Sequence, residues 1–343
     1  MIEFKTHFIP QNIAPKDANR IICFDENGSR VGRIGLYGLT PPHNIGNKLY
    51  SFGAISDVHL GADYPTSTDD FTRALTYFKN KDVAFISVCG DCTAYGSDYE
   101  CSTWKSAKEN SGLILYEIAG NHDARQLSKN EKLTDKRWQQ YFGHNLFYTV
   151  EQGNDLFIFL SMNTWDDIHE NGSVETFADK DLDALENTLN TNKGKRIFLF
   201  QHCFYWEGSG NPNQSYGYDL MSGMQGARFF NLLRNNTNVI WFHGHSHIIF
   251  ETQEQYAISN YDNILGCHSI HIPSLTQPKR LVNGTSESID ESSGVSTYSQ
   301  GYIVDVYKNH IVLNGINFVT GKQLPIATYC LDTPLQMIEA NNL

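Results

Sequence analysis

Six short apolar runs punctuate the chain between residues 49 and 242, and five of them lead into side chains able to bind a metal ion. The runs are Leu49–Ile55, Val83–Val88, Leu113–Ile118, Leu156–Leu160, Arg196–Phe200 and Val239–Phe242. Each has four to seven residues, the length of a buried strand rather than a helix. The first leads into Asp57-Val58-His59 and the second into Gly90-Asp91. The third leads into Gly120-Asn121-His122-Asp123, the fifth into His202, and the sixth into Gly244-His245-Ser246-His247. Ligands of open α/β sheets bind at the carboxyl ends of the strands. Side chains far apart in sequence are therefore expected to meet at one sheet edge.

Between the runs lie stretches with helical spacing. Phe71, Ala74, Leu75 and Phe78 form one apolar stripe, with Ser67 and Thr68 as candidate caps. Leu182, Leu185 and Leu189 form a second. Leu220–Leu233 forms a third, weakened by Gly223 and Gly226. After residue 264 the pattern changes to strands at Ile264–Ile272, Gly301–Tyr307 and His310–Val319. Arg280–Gln300, rich in Ser, Gly and acidic residues, reads as a mobile loop. Near the N-terminus, Asn27-Gly28 sits between Ile21-Ile22-Phe24 and Val31-Ile34-Leu36, a strong hairpin signal. The expected organisation is a hairpin extension and linker over 1–48, one α/β domain over 49–320, and a tail over 321–343.

Composition narrows the function. Hydrophobic residues make up 40% and charged residues 19% of the 343, as in a globular protein. A formal net charge of -12 repels long nucleic acids, so no extended nucleic-acid partner is expected. A small phosphorylated substrate stays compatible, because bound cations reverse the field inside a cleft. No apolar run approaches the ~20 residues that span a membrane. Met1–Pro10 lacks a signal-peptide pattern. Seven irregularly spaced cysteines do not make a disulfide framework. The expected location is cytoplasmic, and the Asn-x-Ser/Thr sites at Asn171, Asn213, Asn235 and Asn283 are read as chance.

The inventory at the strand ends suits two metal ions. It holds the carboxylates Asp57 and Asp91, the imidazoles His59, His202, His245 and His247, and the neutral oxygen of Asn121. A carboxylate has two oxygens and can bridge ions about 3.5–4 Å apart. Mixed oxygen and imidazole donors suit Mn, Fe, Zn, Ni or Co better than Mg or Ca. Glycines before Asp91, Asn121 and His245 let the backbone turn and leave room for a ligand.

The ordered blocks Asp57-x-His59, Gly90-Asp91, Gly120-Asn121-His122-Asp123, an isolated His202, and Gly244-His245-x-His247 resemble the calcineurin-like metallophosphoesterase superfamily. The resemblance spans residues 57–247 and implies a layered sandwich of two mixed β-sheets flanked by helices. It implies that Asp57, His59 and His247 hold one ion, and that Asn121, His202 and His245 hold the other. Asp91 would bridge them together with a water or hydroxide, and His122 would face the substrate as general acid. The run Asp123-Ala124-Arg125 after Gly-Asn-His resembles bacterial cyclic-nucleotide phosphodiesterases. The Asp-Arg-Gly motif of protein phosphatases is missing after Gly90-Asp91, where Cys92-Thr93-Ala94-Tyr95 stands.

The expected function is thus hydrolysis of a small phosphodiester, such as a cyclic nucleotide, at a dinuclear centre. The alternatives are a phosphomonoesterase or nucleotidase of the same fold, and a binding module that keeps the fold without catalysis. Asp123 and Asp98 are the candidate orienting partners of His122. Arg125 either binds a substrate phosphate oxygen or pairs with an acidic neighbour. Tyr205, Trp206, Tyr216 and Tyr218, in Phe204–Met224, either stack a nucleobase or pack as an ordinary loop. Cys89-x-x-Cys92 is read as one buried cysteine and one near the metals, because no second Cys pair completes a zinc site. His243 and His271 receive no role.

Overall fold

The computed structural model describes residues 21–24, 30–34, 46–127, 132–163, 177–203, 224–234, 236–253, 258–259, 267–282 and 285–333. Two six-stranded sheets lie face to face with helices outside them. The first sheet has the order β16-β15-β14-β3-β4-β5. Its strands are β3 (Tyr50–Ile55), β4 (Ile86–Cys89), β5 (Leu115–Ile118), β14 (Gln300–Val306), β15 (His310–Asn317) and β16 (Lys322–Asp332). The second has the order β10-β11-β9-β8-β7-β6. It comprises β6 (Phe147–Gln152), β7 (Asp155–Leu160), β8 (Ile197–Phe200), β9 (Val239–His243), β10 (Ile258–Ser259) and β11 (His268–His271).

The apolar runs become strands covered on both faces, which is why they read as continuous rather than alternating. In β7, Phe157 and Phe159 point into the core between the sheets. Leu156, Ile158 and Leu160 point out to the helices. β8 repeats this division, with Phe198 and Phe200 inward and Ile197 and Leu199 outward. Phe52 on β3 packs edge-on against Phe157 and Phe198, at ring separations of 5.2 and 5.3 Å. Each such buried side chain contributes roughly 1.5–3 kcal/mol.

Both sheets are mixed. β3, β4 and β5 are parallel neighbours, as are β7, β8, β9 and β11. Parallel neighbours need long crossovers. Those of the first sheet are α1 (Ser67–Lys79) and α2 (Asp98–Ser111), and α4 (Asp179–Thr191) and α5 (Met224–Arg234) lie in those of the second. The helix α3 (Asp135–Phe142) adds Trp138 and Phe142 to the layer outside the first sheet. α2 starts in a capping box, Ser97 with Glu100, which satisfies backbone donors at the helix entry.

The hairpin expected near the N-terminus is present, with β1 (Ile21–Phe24) antiparallel to β2 (Arg30–Ile34). Two expectations need correction. Arg280–Gln300 is not wholly irregular, because β12 (Lys279–Val282) pairs with β13 (Thr285–Ser288). Asn283-Gly284 between them carries the same turn signal as Asn27-Gly28. The boundary drawn at residue 320 falls inside the turn between β15 and β16, whose strands pair antiparallel. Residues 322–332 thus form an edge strand, with Ala327, Tyr329 and Leu331 in the core between the sheets. Alternation in that segment is interrupted by Pro325, and extra residues of β16 loop out of register around it, Asn314 facing Thr328 and Ile316 facing Gln323. Among the described residues, no helix is long and apolar enough to cross a membrane.

Candidate metal centre

The carboxyl ends of β3, β4, β5, β8 and β9 meet at one edge of the sandwich, and their loops bring the expected residues together. The loops after β3 and β4 run side by side, His59 N–H donating to Asp91 O at 2.9 Å. Two sets of ligand atoms emerge. Asp57, His59, Asp91 and His247 form one, and Asp91, His202 and His245 form the other. In each set the atoms lie within 4.8 Å of one another, and Asp91 belongs to both. The contacts include His247 Nε2 to Asp57 Oδ1 at 3.1 Å and His59 Nε2 to Asp91 Oδ2 at 3.6 Å. His202 Nε2 lies 3.2 Å from Asp91 Oδ2, and His245 Nδ1 lies 3.2 Å from His202 Nε2.

The two aspartates are used alike. Asp57 Oδ2 accepts the backbone N–H of His245 at 2.9 Å, and Asp91 Oδ1 accepts that of His122 at 2.8 Å. Their other oxygens, Asp57 Oδ1 and Asp91 Oδ2, accept no hydrogen bond although both are buried. Asn121 Oδ1 is buried in the same state. A buried acceptor without a donor costs about 1–3 kcal/mol, more if charged. Three such oxygens beside four imidazoles fit a cation site.

Backbone carbonyls fix the imidazoles. His202 Nδ1 donates to Cys89 O at 2.7 Å, and His247 Nδ1 donates to Gln277 O at 2.9 Å. Each bond leaves Nε2 as the lone-pair atom facing the carboxylates. His245 instead presents Nδ1, 3.2 Å from His202 Nε2.

Charge in the cluster is tightly balanced. Burial opposes ionisation of Asp57, but His247, His202 and His59 outweigh it and hold the carboxyl well below the usual range. Burial likewise opposes ionisation of Asp91, and His202 and His122 overcome it. Desolvation works against a proton on His202, yet the Asp91 and Asp57 carboxylates raise it to about 10. Burial and the His202 charge push His245 down to about 3. Two buried carboxylates thus demand positive charge from the groups around them.

Local backbone geometry shows how specialised the edge is. Asp57, His59, Asp91, His245 and His247 all have positive φ, between 48° and 70°. Such conformations cost about 1–3 kcal/mol each and cluster at functional sites. Gly120 has a different reason to be glycine. A Cβ there would come within 2.2 Å of Asp91 Oδ1 and 2.5 Å of its backbone nitrogen.

His122 opens a 3-10 turn, His122–Ala124, at the rim. Its ring packs edge-on to His59 at 4.4 Å. Neither Asp123 nor Asp98 orients it in the way expected. His122 Nδ1 donates to Ala94 O at 2.9 Å. Asp98 pairs with Arg137 at 3.1 Å. The Asp123 carboxylate accepts from Cys92 N, Thr93 N, Thr93 Oγ1 and Gly120 N at 2.7–3.1 Å. It therefore ties the loops after β4 and β5 together. Burial and the Asp91 charge push Asp123 up to about 7, against four donors that favour its carboxylate.

Arg125 lies with its guanidinium 4.6 Å over the Tyr95 ring and 3.5 Å from His122 Nδ1. Tyr64, unmarked by any motif, lies near Arg125 and packs 5.2 Å from the His59 ring. The aromatic residues Tyr205, Trp206, Tyr216 and Tyr218, and Trp165, lie outside the described residues.

Fold and site together define a phosphoesterase-type sandwich with a candidate dinuclear metal centre at one edge. The chain belongs to the calcineurin-like phosphoesterase family, whose model matches residues 50–248, more than half of its length. Among solved structures it resembles a purple acid phosphatase, PPD1, from yellow lupin (Lupinus luteus), with a TM-score of 0.57 at 11% identity. That match covers 90% of this chain and 58% of the lupin protein. It also resembles GAP50, the anchor in the inner membrane complex of Plasmodium, with a TM-score of 0.56 at 13% identity. Here 84% of this chain and 90% of GAP50 are covered. At these identities the likeness is one of fold. No curated protein sequence matches the chain.

Proposed function

We propose that the chain hydrolyses a small phosphodiester of nucleotide-like character at a dinuclear centre. The observation that carries this reading is the convergence of two ligand sets on one shared carboxylate, Asp91. Asp57, His59 and His247 would hold one ion, and Asn121, His202 and His245 the other. When bound, two Mn, Fe, Zn, Ni or Co ions would supply Lewis acidity and an activated water.

The chain's own residues supply positioning and proton transfer. His122 Nδ1 keeps its hydrogen on Ala94 O, so the acid is the imidazolium form, whose Nε2–H passes its proton to the leaving oxygen and leaves the ring neutral. Arg125 stands beside it to take a phosphate oxygen, near Tyr95 and Tyr64. Asp123 braces the loops that carry Asp91 and Asn121. The Asp123-Ala124-Arg125 run supports a diester over a monoester. The net charge of -12 supports a small substrate over a long nucleic acid.

The test is metal analysis of the purified protein, then a phosphoester panel with Mn, Fe, Zn and Ni added back. Faster turnover of a bis-aryl than a mono-aryl phosphate supports the diester reading, and the reverse overturns it in favour of a phosphomonoesterase. A protein that binds no metal overturns hydrolysis at this centre.

A further inference from the structure

Ser246 stands between two residues in left-handed conformation, His245 with φ 70° and His247 with φ 63°. Strain of this kind persists only where surrounding contacts over-determine the backbone. Several contacts on the loop are made by its own backbone. Asp57 accepts from His245 N, and His247 O accepts from Lys279 N at 2.9 Å and from Ser274 Oγ at 3.4 Å. A further one is a chain of side chains. Ser246 Oγ lies 2.6 Å from His271 Nε2, and His271 Nδ1 lies 3.3 Å from Gln253 Oε1. Ser246 and His271 are fully buried, and Gln253 is 5% exposed.

The direction of the chain follows from its ends. The Gln253 carbonyl oxygen only accepts, so His271 Nδ1 carries the hydrogen. His271 Nε2 then accepts from the Ser246 hydroxyl, and Ser246 Oγ accepts from Ile248 N–H at 3.4 Å. His271 comes from β11, where it pairs in register with His243 at the end of β9. It thus links a neighbouring strand to the turn that follows β9.

We infer that His271 is a positioning residue, which holds through Ser246 the turn that presents His245 and His247 to the metal ions. This rests on the reading of those two histidines as ligands. Losing an outer partner of a metal ligand typically weakens metal binding by roughly 10–100-fold.

Calorimetric titration of Mn2+ into the metal-free full chain tests this. His271→Leu and Ser246→Ala should each weaken at least one binding step by roughly 10–100-fold. The double variant should be about as weak as either single one, because both break the same chain. Ser269→Ala removes the neighbouring bond of 3.0 Å to His243, equally buried, and should leave the isotherm unchanged. Unaltered Mn2+ affinity in folded Ser246→Ala would overturn the inference, as would an equal loss in Ser269→Ala or additive losses in the double variant. If His271→Leu does not fold, Ser246→Ala against Ser269→Ala decides. An unaltered chain that takes up no Mn2+ overturns the ligand reading, and this inference with it.

Discussion

Asp57 on the first sheet accepts the backbone N–H of His245 on the second, at 2.9 Å, and so closes the sandwich at its ligand-bearing edge. One oxygen of the carboxylate is spent on architecture, and the other, Oδ1, is buried without a hydrogen bond. Asp91 does the same with His122, but its remaining oxygen belongs to both ligand sets.

This difference gives the first prediction. Asp57→Asn should lower metal content toward one ion per chain, because a single ligand set loses a charge. Asp91→Asn should lower both, since its oxygen is shared. Elemental analysis after dialysis against trace metal reads the stoichiometry, and equal loss in the two variants would contradict the bridging role.

His122 makes ring and backbone contacts at the rim but belongs to neither ligand set. His122→Ala should therefore keep the metal and lose roughly 10²–10⁴-fold in turnover. The loss should be smallest for nitrophenolate-type leaving groups, which need little protonation. A variant that turns over a poor leaving group at the unaltered rate would remove His122 from acid catalysis.

Asp123→Asn preserves volume but places an amide where every neighbour donates. Cys92 N–H and Gly120 N–H reach Oδ2, and an NH2 at that position leaves them without an acceptor. One orphaned buried donor costs about 1–3 kcal/mol, so the loss should reach at least about 2 kcal/mol. Urea denaturation reads it as a lower midpoint at constant slope. An unchanged midpoint would mean that the loops are held by other contacts.

His144 sets a pH dependence away from the metal centre. Burial, and then the Lys108 charge, push it down to about 4 from 6.5. The unfolded chain therefore binds a proton between pH 6.5 and 4 that the folded chain does not. The contribution is full above pH 6.5 and is lost progressively as pH falls toward 4. His144→Phe keeps the stack on Tyr148, at 4.4 Å, and should flatten that decline in a series of thermal melts. An equally steep acid limb in the variant would assign it to other groups.

Much of this architecture was legible in the residues because its signals are local. β7, β8 and β9 announced themselves as continuous apolar runs, since both faces of each strand are covered. α2 was less visible along the chain. Its apolar stripe is thin, with Cys101 and Trp104 as its buried apolar residues, and the Ser97–Glu100 capping box was the signal that could have marked it. β16 was missed because Pro325 and the register shift around it break its alternation.

The sequence by itself determined which residues have the chemistry to bind metal and which strand ends they follow, because side-chain type and apolar length are properties of the local chain. Tertiary structure alone decided what holds them. His202 is set by Cys89 O, His247 by Gln277 O and His122 by Ala94 O. A backbone carbonyl is the same in every residue, so no composition or spacing reveals which one a ring will meet. His271 is hidden for a related reason: it gains meaning only when β11 is laid beside β9 and its ring reaches Ser246.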